Sequence, residues 1–482
     1  MRVAIVHYHL RRGGVTRVIE TAVAALADNA ETVVLGGEPY GGDALPAVTV
    51  VDGLGYRDTP DAPDDDGPAL GQRMLAAAAD SLGGPPDLWH IHNHSLGKNV
   101  IFPAALRWLL ANGARVLLQV HDFAEDGRPA NYRAQRAVVP DAAAFARALY
   151  PAAPQIHYAT LNERDNTVLA GAGVPSERRH LLPNAVSVPA FAGRETARPF
   201  GEAHRYFLYP TRGIRRKNLG EMVLLAAAAR AAAPDTAYGA TLAPDNPVWR
   251  PVYDAWVACA RQHRLPVAFG LGEHHDFAGL VRGAEAIVTT SVAEGFGLAY
   301  LEPFLFGKDI TGRDLPEITR GFTARGISLD SLYTALPAAL IAGEERAFRD
   351  ALAAALPALY KAYDRPLPEN AVRQAFDASR CEAGFDFGRL NEDIQRSVIA
   401  RVAADGPEEA LVKRLPRARP PEALRRNRDI VAEEFGPSRY GETLLAAYQR
   451  LLAAEPAEPD AHDADAVLAA FLDPARFNLL RS

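Results

Sequence analysis

The stretch from Ala286 to Glu302, AIVTTSVAEGFGLAYLE, contains a β-branched run followed by two glycines and a second apolar segment. The run from Ala286 to Ser291 predicts a strand, and the segment from Leu298 predicts the start of a helix. Gly295 and Gly297 permit a tight turn between them and a close approach of the backbone to a ligand. We therefore expect a strand, a turn and a helix whose first N–H groups face an anion.

The same alternation of strands and helices runs along most of the chain. Predicted strands at 3–6, 32–35, 48–51, 88–92, 115–120 and 156–161 alternate with helices at 15–27, 101–111 and 163–171. The pattern restarts with a strand at 206–209 and a helix at 219–232. Alternating elements predict parallel sheets covered by helices on both faces. We expect an α/β chain of two Rossmann-like doubly wound domains facing a cleft. Their predicted limits are 1–195 and 196–437, with helices without strand runs from about 320 and a tail helix within 438–482.

The composition excludes several classes of function. A net charge of -7 over 482 residues gives no global attraction to nucleic acid or anionic lipid. Cys259 and Cys381 lie far apart without a neighbour at ligand spacing, so neither a disulfide framework nor a zinc site is expected. We expect no signal peptide before the first strand, and the apolar runs are far shorter than the roughly 20 residues that a membrane helix needs. We expect a cytoplasmic protein.

Two carboxylates, Glu294 in the turn and Glu302 just over one helical turn later, would flank an anion bound after the strand. A carboxylate beside a phosphate is unfavourable unless it binds hydroxyl groups. Sugar hydroxyls supply those donors. The combination therefore indicates a nucleotide-sugar, with N–H groups for phosphate and carboxylates for hydroxyls.

A basic segment, TRGIRRKN at residues 211–218, follows the predicted strand at 206–209. The carboxyl ends of parallel strands meet at one edge of a sheet, so this segment should lie near the glycine turn. We expect Arg212 and Lys217 to neutralise a diphosphate, and Arg215 and Arg216 to be solvated.

The motif Glu294-Gly-Phe-Gly-Leu-x-x-Leu-Glu302 resembles the Glu-x7-Glu motif of retaining glycosyltransferases with the GT-B fold, family 4. Further similar segments follow in family order over about residues 1–320: Gly13-Gly14-Val15, Val120-His121-Asp122, Leu182-Pro183-Asn184-Ala185-Val186, Arg212 with Lys217, and Leu315-Pro316-Glu317-Ile318. The resemblance implies a first domain on the acceptor side, a second domain that holds the nucleotide-sugar, and a tail that packs back on the first.

The resemblance also implies roles for single residues. Glu302 would bind ribose hydroxyls, Glu294 the donor sugar, and His121 would lie near that sugar as a hydrogen-bonding group. The implied catalytic residues are Glu294, His121, Arg212 and Lys217. The implied donor-binding residues are Gly13, Gly14, Arg212, Lys217, Glu294, Gly295, Phe296, Gly297, Leu298 and Glu302, with the glycine pair in a tight turn after the first strand.

The implied reaction is transfer of a hexosyl group, with retention, from a UDP-, GDP- or ADP-linked sugar to a small soluble or polar acceptor. Positive charge at Arg212 and Lys217, with the helix N-terminus at Gly297, would stabilise the leaving diphosphate. We therefore expect no metal and no cofactor. Attack on the same face, assisted by the leaving phosphate, is favoured over Glu294 as a covalent nucleophile.

Polar residues after the strand at 88–92 are candidates for acceptor contacts. They are Asn93, His94, Ser95 and Lys98, together with Asp122, which could instead orient His121. The alternating residues His90, His92 and His94 could converge on one strand face. No carboxylate accompanies them locally, so we favour a structural or acceptor-contact role over a metal site.

Three features depart from the family pattern. Arg313 puts a charge in a loop near the donor, where it could add a contact. Pro303 directly follows Glu302, so the helix there should begin late or bend. The helical segment at 320–437 is longer than the family needs.

Other functions remain open at this point. A sugar-nucleotide epimerase or a phosphorylase could use the same architecture, and the acceptor could be a membrane lipid or a cell-envelope component. A catalytically silent sugar-nucleotide binding module is disfavoured because Glu294, Glu302, Arg212 and Lys217 are all present.

Overall fold

A computed structural model describes residues 1–46, 48–57, 63–188, 195–416 and 419–481. The chain divides into two compact units. The first comprises Met1–Ala185 with Phe435–Leu472, and the second comprises Val186–Glu434 with Asp473–Ser482. The expected tail is therefore split, because its last residues belong to the second unit rather than the first.

The strands are numbered in chain order. They are β1 (Arg2–Val6), β2 (Glu31–Gly36), β3 (Val48–Val50), β4 (Leu88–His92), β5 (Val116–Val120), β6 (Pro151–Ala152), β7 (Ile156–Thr160), β8 (Arg179–Leu181), β9 (Arg205–Arg212), β10 (Thr236–Leu242), β11 (Val267–Ala268), β12 (Ala286–Thr289), β13 (Asp309–Arg313), β14 (Leu332–Tyr333), β15 (Pro337–Ala338), β16 (Arg380–Cys381), β17 (Gly384–Asp386) and β18 (Asp460–Ala461).

The α-helices are numbered in the same way. They are α1 (Gly14–Leu26), α2 (Pro63–Leu82), α3 (Phe102–Ala111), α4 (Pro129–Ala137), α5 (Ala142–Leu149), α6 (Glu163–Gly171), α7 (Leu219–Ala232), α8 (Arg250–Gln262), α9 (Phe277–Gly283), α10 (Glu302–Leu305), α11 (Pro316–Thr323), α12 (Ala342–Ala362), α13 (Ala371–Asp377), α14 (Glu392–Asp405), α15 (Glu409–Val412), α16 (Pro421–Glu434), α17 (Pro437–Leu452) and α18 (Ala464–Phe471).

The first unit is built on a seven-stranded sheet in the order β3-β2-β1-β4-β5-β7-β8. Every neighbouring pair in it is parallel. Strands β4, β5 and β7 are buried along their whole length, as expected when helices cover both faces of a sheet. The strand order reverses between β1 and β4, so the carboxyl ends of these two strands border the crevice in which doubly wound sheets bind ligands.

Helix α17 packs against α1 in the first unit. Its buried side chains share one apolar cluster with residues of α1 and β1: Tyr440, Leu444, Tyr448, Leu451, Ile19, Val23 and Val3. The two helices approach closely at Gly441, where a side-chain Cβ would come within 2.9 Å of Ala25 Cβ. The tail helix is thus part of the core of this unit.

The second unit contains a parallel six-stranded sheet in the order β11-β10-β9-β12-β13-β14. Its order reverses between β9 and β12, which makes the carboxyl ends of these strands its own switch point. Helix α7 begins and ends where the sequence predicted, and it is buried almost throughout because it contacts β10, α8 and α14. The two parallel sheets confirm the predicted α/β fold class.

Residues after 320 are not all helical, contrary to expectation. Strands β15, β17 and β16 form a small antiparallel sheet between helices α11 and α14. Strands of two or three residues are too short to show an alternating pattern, which explains why they were missed. The sequence also predicts a turn at 417–421, of which residues 417 and 418 lie outside the described ranges.

The acidic sequences at 61–66 and 455–465 predict a solvated surface turn and a mobile stretch, respectively, but the described residues of both include regular structure. Residues 63–66 begin helix α2, and Asp66 accepts a hydrogen bond of 2.9 Å from Arg57, while residues 61 and 62 lie outside the described ranges. The tail segment at 455–465 contains β18, which pairs with β6. Helix α2 was not predicted because its first turns contain Gly67 and Pro68, which are typical of loops.

The prediction that Arg313 lies in a loop near the donor is wrong. Arg313 lies at the end of β13 with a fully buried side chain, whereas a charged loop at the donor was expected. Its guanidinium donates to Glu221 at 2.5 Å and to Asp386 at 2.7 Å. Burial of a cation is unfavourable unless it is paired, and two carboxylates satisfy it here. Arg313 therefore joins α7, β13 and β17 instead of contacting a ligand.

Replacing Arg313 should destabilise the second unit strongly. Arg313→Leu leaves Glu221 and Asp386 buried without their cation, so the free energy of unfolding should fall by about 3–5 kcal/mol. Urea unfolding followed by circular dichroism measures this change. Arg250→Ala removes one member of an exposed pair and is the matched control with little expected effect. Equal stability of the two variants would contradict the role given to Arg313.

Candidate functional site

The basic segment and the glycine turn meet at the switch point of the second sheet. After β9 the chain forms a 3-10 turn at Arg215–Lys217, and after β12 it continues into the loop that carries Glu294. The Lys217 ammonium donates a hydrogen bond to Glu294 Oε1. Arg216 Nη1 donates to Glu294 Oε2 at 3.2 Å and to the Ala293 carbonyl at 2.5 Å. Two cations and one carboxylate therefore form a single cluster.

Backbone contacts fix these two loops against each other. The Tyr209 hydroxyl and the Thr290 hydroxyl each donate to the Lys217 carbonyl at 3.0 Å. The Val292 N–H donates to the Arg216 carbonyl at 2.9 Å. The positions of Lys217 and Glu294 are thus set by the strand ends that precede them.

Electrostatics keep the cluster ionised. Burial alone would raise the pKa of Glu294, but Lys217 and then Arg216 outweigh it and hold the pKa of this carboxyl below its ordinary value. Burial lowers the pKa of Lys217, and Glu294 opposes that shift. The side chains are 15% and 10% exposed for Lys217 and Glu294, so their attraction is little screened by water. Glu294 is therefore an acceptor of hydrogen bonds at neutral pH.

The glycine turn differs from the helix that was expected after it. Gly297 has φ 94°, and a Cβ there would come within 2.8 Å of Ile318, so glycine is required. It is followed by a 3-10 turn at Leu298–Tyr300 and then by α10, whose first residue is Glu302. Pro303 favours a helix start, which explains why this helix begins late. Because α10 has only four residues, a helix dipole contributes little at Gly297.

The remaining residues of this turn have different surroundings. A side chain on Gly295 would meet no atom within 4 Å, so there is open space beside this residue. The Phe296 ring is buried and lies edge-on to Phe322 at 5.6 Å between centroids. Only the backbone of Phe296 is thus available to a ligand, whereas Leu298 and Glu302 are partly exposed.

The three arginines of the basic segment pair with three different carboxylates. Arg212 is exposed and pairs with Asp245, a weak surface contact that a ligand phosphate could replace. Arg215 was expected to be solvated, but its Nε and Nη2 donate to Glu392 at 2.5 and 3.0 Å. Arg216 was also expected to be solvated, yet it reaches Glu294. Sequence reasoning missed both partners, and only the adjacency of Arg216 to Lys217 could have indicated the second.

In the first unit the Gly13–Gly14 pair does not form a tight turn directly after β1. Residues 7–13 separate the strand from α1, with Gly13 in an extended conformation and Gly14 as the first helical residue. A side chain on Gly14 would meet no atom within 4 Å. The first N–H groups of α1 have no carbonyl within the helix to bind, so they suit an anionic or carbonyl partner.

His121 belongs to a chain of buried, neutral rings. His92 Nδ1 lies 2.8 Å from His121 Nε2, and the two rings stack with centroids 5.1 Å apart. His90 lies within hydrogen-bond distance of the Tyr448 hydroxyl at 2.7 Å and of Gln119 at 2.9 Å. Burial lowers the pKa of His90 to about 4 and that of His121 to about 3. These rings can exchange hydrogen bonds at pH 7 but supply no positive charge.

The other acceptor candidates of the first unit are mostly structural. Asn93 is buried and its Oδ1 accepts from the N–H groups of His121 at 2.8 Å and Asp122 at 3.1 Å. His94 is buried and its Nε2 lies 2.7 Å from the Leu149 carbonyl. Ser95 is also buried.

Two candidates remain accessible. Asp122 accepts from Arg128 at 2.5 Å, with a side chain that is 41% exposed. The ammonium of Lys98 lies 5.4 Å from the centroid of the Tyr56 ring, and Lys98 is partly exposed. These two side chains can reach a ligand without rearrangement of the core.

Two general findings concern metals and membranes. Within the described ranges, no group of three or more His, Cys, Asp or Glu side chains is arranged to hold a metal ion. The helices in the same ranges include none that is both long and apolar enough to cross a membrane.

A cavity of about 520 Å³ lies in the first unit, near the amino ends of β5 and β7 and thus at the sheet edge opposite the switch point. Its lining includes Arg107, Arg147, Gln155 and Asp460. It is therefore separate from the candidate residues of this unit.

Acid should destabilise the protein through its buried histidines. The folded-state pKa of His90 is about 4, below its ordinary value of 6.5, so the unfolded chain binds the proton first as the pH falls. The free energy of unfolding should therefore be highest above pH 6.5 and fall by roughly 3 kcal/mol per such histidine by pH 4.

Urea unfolding at pH 7.5, 6.5, 5.5 and 4.5 measures this dependence. His90→Gln should reduce the slope between pH 6.5 and 4, whereas the matched change at the exposed His274 should leave it unchanged. If the free energy of unfolding of the wild type is constant down to pH 4.5, protonation of the buried rings does not destabilise the folded state.

Comparisons with known proteins agree with the motifs. A model described as a glycosyl transferase 4-like domain matches residues 13–185. Mannosylglucosyl-3-phosphoglycerate synthase of Petrotoga mobilis is 26% identical over 343 residues, which are 65% of this chain and 65% of that protein. The match thus spans just under two thirds of the relative's length.

Solved structures share the fold across nearly the whole chain. A glycosyltransferase from Rickettsia africae has a TM-score of 0.54 at 11% identity and covers 94% of this chain and 99% of its own. Sucrose-phosphate synthase from Thermosynechococcus elongatus has a TM-score of 0.51 at 14% identity, covering 94% and 100%. Anabaena HepE in complex with UDP has a TM-score of 0.51 at 12% identity, covering 93% and 100%. Residues 13–185 thus match a glycosyl transferase 4-like domain, and the chain as a whole shares the GT-B glycosyltransferase fold.

Proposed function

We propose that this protein is a retaining glycosyltransferase that moves a hexosyl group from a nucleotide-sugar to a small polar acceptor. The observation that carries the proposal is the cluster of Lys217, Arg216 and Glu294 at the switch point between β9 and β12. A nucleotide-sugar needs cations for its diphosphate and a carboxylate for its hydroxyls, and this cluster offers both within a few ångströms. The UDP complex of the HepE protein, which shares the fold, supports a nucleotide ligand.

For the donor, we assign the diphosphate to Lys217 and Arg212. An ammonium has three N–H donors, so Lys217 can bind a phosphate oxygen and keep its bond to Glu294. Arg212 can exchange its exposed partner Asp245 for a second phosphate. The space beside Gly295, where a side chain would meet no atom within 4 Å, leaves room for the ligand next to Glu294. Glu294 then accepts from sugar hydroxyls and Glu302 from the ribose.

The chemistry proposed for this site is electrostatic. Cleavage of the anomeric bond leaves an additional negative charge on the diphosphate and positive character on the sugar ring. Lys217 and Arg212 stabilise the first, and the carboxylate of Glu294 stabilises the second. We propose same-face attack by the acceptor and no requirement for a metal ion, because the two side chains supply the positive charge themselves.

In the first unit, we propose that the N–H groups at Gly13 and Gly14 and the Nδ1 atom of His121 bind oxygens of a substrate. The neutral state of His121 suits a hydrogen bond to a hydroxyl group. For the acceptor we propose Lys98 and Asp122, since Asn93, His94 and Ser95 are buried.

The relative from Petrotoga mobilis is named as a synthase of a phosphoglycerate glycoside. We accordingly propose an anionic, sugar-like acceptor, for which Lys98 offers a cation. A lipid acceptor is the alternative within the same reaction, and a cytoplasmic location is proposed for either.

The first experiment is a donor screen. Thermal shift with UDP, GDP, ADP and their glucose or mannose conjugates identifies the donor, and mass spectrometry with pooled acceptors, glucosyl-3-phosphoglycerate among them, identifies the product. Retention predicts the same anomeric configuration in donor and product by NMR. Turnover of the nucleotide-sugar without an acceptor would favour an epimerase, and dependence on inorganic phosphate would favour a phosphorylase. No stabilisation by any nucleotide or nucleotide-sugar would reject the proposal.

Loss of the donor-binding charges should weaken nucleotide binding. Lys217→Met removes a charge-assisted hydrogen bond to phosphate and should raise the Kd of the selected nucleoside diphosphate roughly 10–100-fold. Glu302→Gln should raise the same Kd less, because one amide oxygen can still accept from ribose. Isothermal titration calorimetry measures both constants. Glu273→Gln, at an exposed position of the same unit, is the control, and a Kd for Lys217→Met equal to that control would refute the assignment.

A further inference from the structure

Helix α14 contacts the basic turn directly, although 177 positions of sequence separate the contacting residues. Glu392, the first residue of α14, accepts from Arg215 through both carboxylate oxygens, at 2.5 and 3.0 Å. The two side chains are only 22% and 15% exposed for Arg215 and Glu392. A two-point contact of this kind fixes orientation as well as distance.

A second contact lies one helical turn further along α14. Gln395 is fully buried and its Nε2 donates to Asn218 Oδ1 at 3.0 Å and to the Phe387 carbonyl at 2.9 Å. The two helices approach closely at Gly220, where a Cβ would lie 2.6 Å from Gln395 Oε1. This close approach requires glycine in α7, so α14 and α7 are fitted to each other at the point where α7 begins.

Asn218 is the residue that this contact holds. It has φ 49° and ψ 54°, a left-handed conformation that is unfavourable for a residue other than glycine. Its Nδ2 donates to Glu221 at 2.7 Å, and Glu221 in turn accepts from Arg313. Bonds from both sides of the side chain therefore maintain the conformation that ends the turn at Arg215–Lys217 and begins α7.

We propose that Glu392 and Gln395 are positioning residues, which hold the turn at 215–217 so that Lys217 and Arg216 reach Glu294 and a donor diphosphate. The long segment after residue 320 thus supports the donor site through the first turn of α14. The inference rests on the proposed function for the identity of the ligand. Glu392 also neutralises Arg215, so that Arg215 is directed away from the diphosphate.

The test compares Glu392→Gln with Asp393→Asn. Asp393 is the next residue of α14, and its side chain is 83% exposed and pairs with Arg396 on the same helix, so it is matched in charge and position. The probe is whichever of UDP, GDP and ADP binds the full-length wild type most tightly. Glu392→Gln should raise its Kd roughly tenfold, and the donor KM by a similar factor, with acceptor KM unchanged. Asp393→Asn should change none of these.

Rescue separates positioning from a loss of stability. The double variant Arg215→Glu with Glu392→Arg restores a salt bridge of reversed polarity and should recover most of the lost affinity. An unchanged Kd in Glu392→Gln would contradict the positioning role of Glu392, and so would a loss of affinity that is explained by a lower melting temperature. Either outcome leaves the proposed function in place. If the wild type binds none of the three nucleotides, the proposed function is overturned, and the inference with it.

Discussion

The contact between the Lys217 ammonium and the Glu294 carboxylate is the interaction on which the second unit's site depends. It joins the ends of β9 and β12, the two strands between which the order of the sheet reverses. Removal of Glu294 would leave the largely buried Lys217 without its carboxylate, and removal of Lys217 would leave Glu294 with Arg216 as its remaining cation. The same contact keeps Glu294 ionised. It also places the Lys217 ammonium, which has further N–H groups to donate, close to the open space beside Gly295.

Each unit contains a buried network of polar side chains at or near its sheet. The second unit uses ion pairs, in which Arg313, Glu221 and Asp386 connect its sheet to the elements after residue 320. The first unit uses neutral rings, in which His90, His92 and His121 exchange hydrogen bonds at the carboxyl ends of β4 and β5. The ion pairs are saturated by each other and hold the second sheet to its later elements, whereas the neutral rings of the first unit remain able to exchange hydrogen bonds with hydroxyl groups.

Sequence reasoning recovered what depends on local patterns. The bounds of α7, the strand β4 and the family 4 type follow from periodicity and short motifs, as does the proximity of Lys217 and Glu294 at one sheet edge. It failed where a partner lies far along the chain, as for Arg215 with Glu392 and Arg313 with Asp386. A single charged residue carries no information about such partners, so Arg313 was taken for a ligand contact.

The central claim is that the basic turn and the glutamate loop form one donor site. Hydrogen–deuterium exchange of the wild type, with and without a saturating nucleotide-sugar, tests it most directly. The account predicts slower exchange in peptides covering residues 213–219 and 292–302 together, because one ligand would bind N–H groups and side chains of both. Protection of only one of these segments, or protection confined to other parts of the chain, would contradict it.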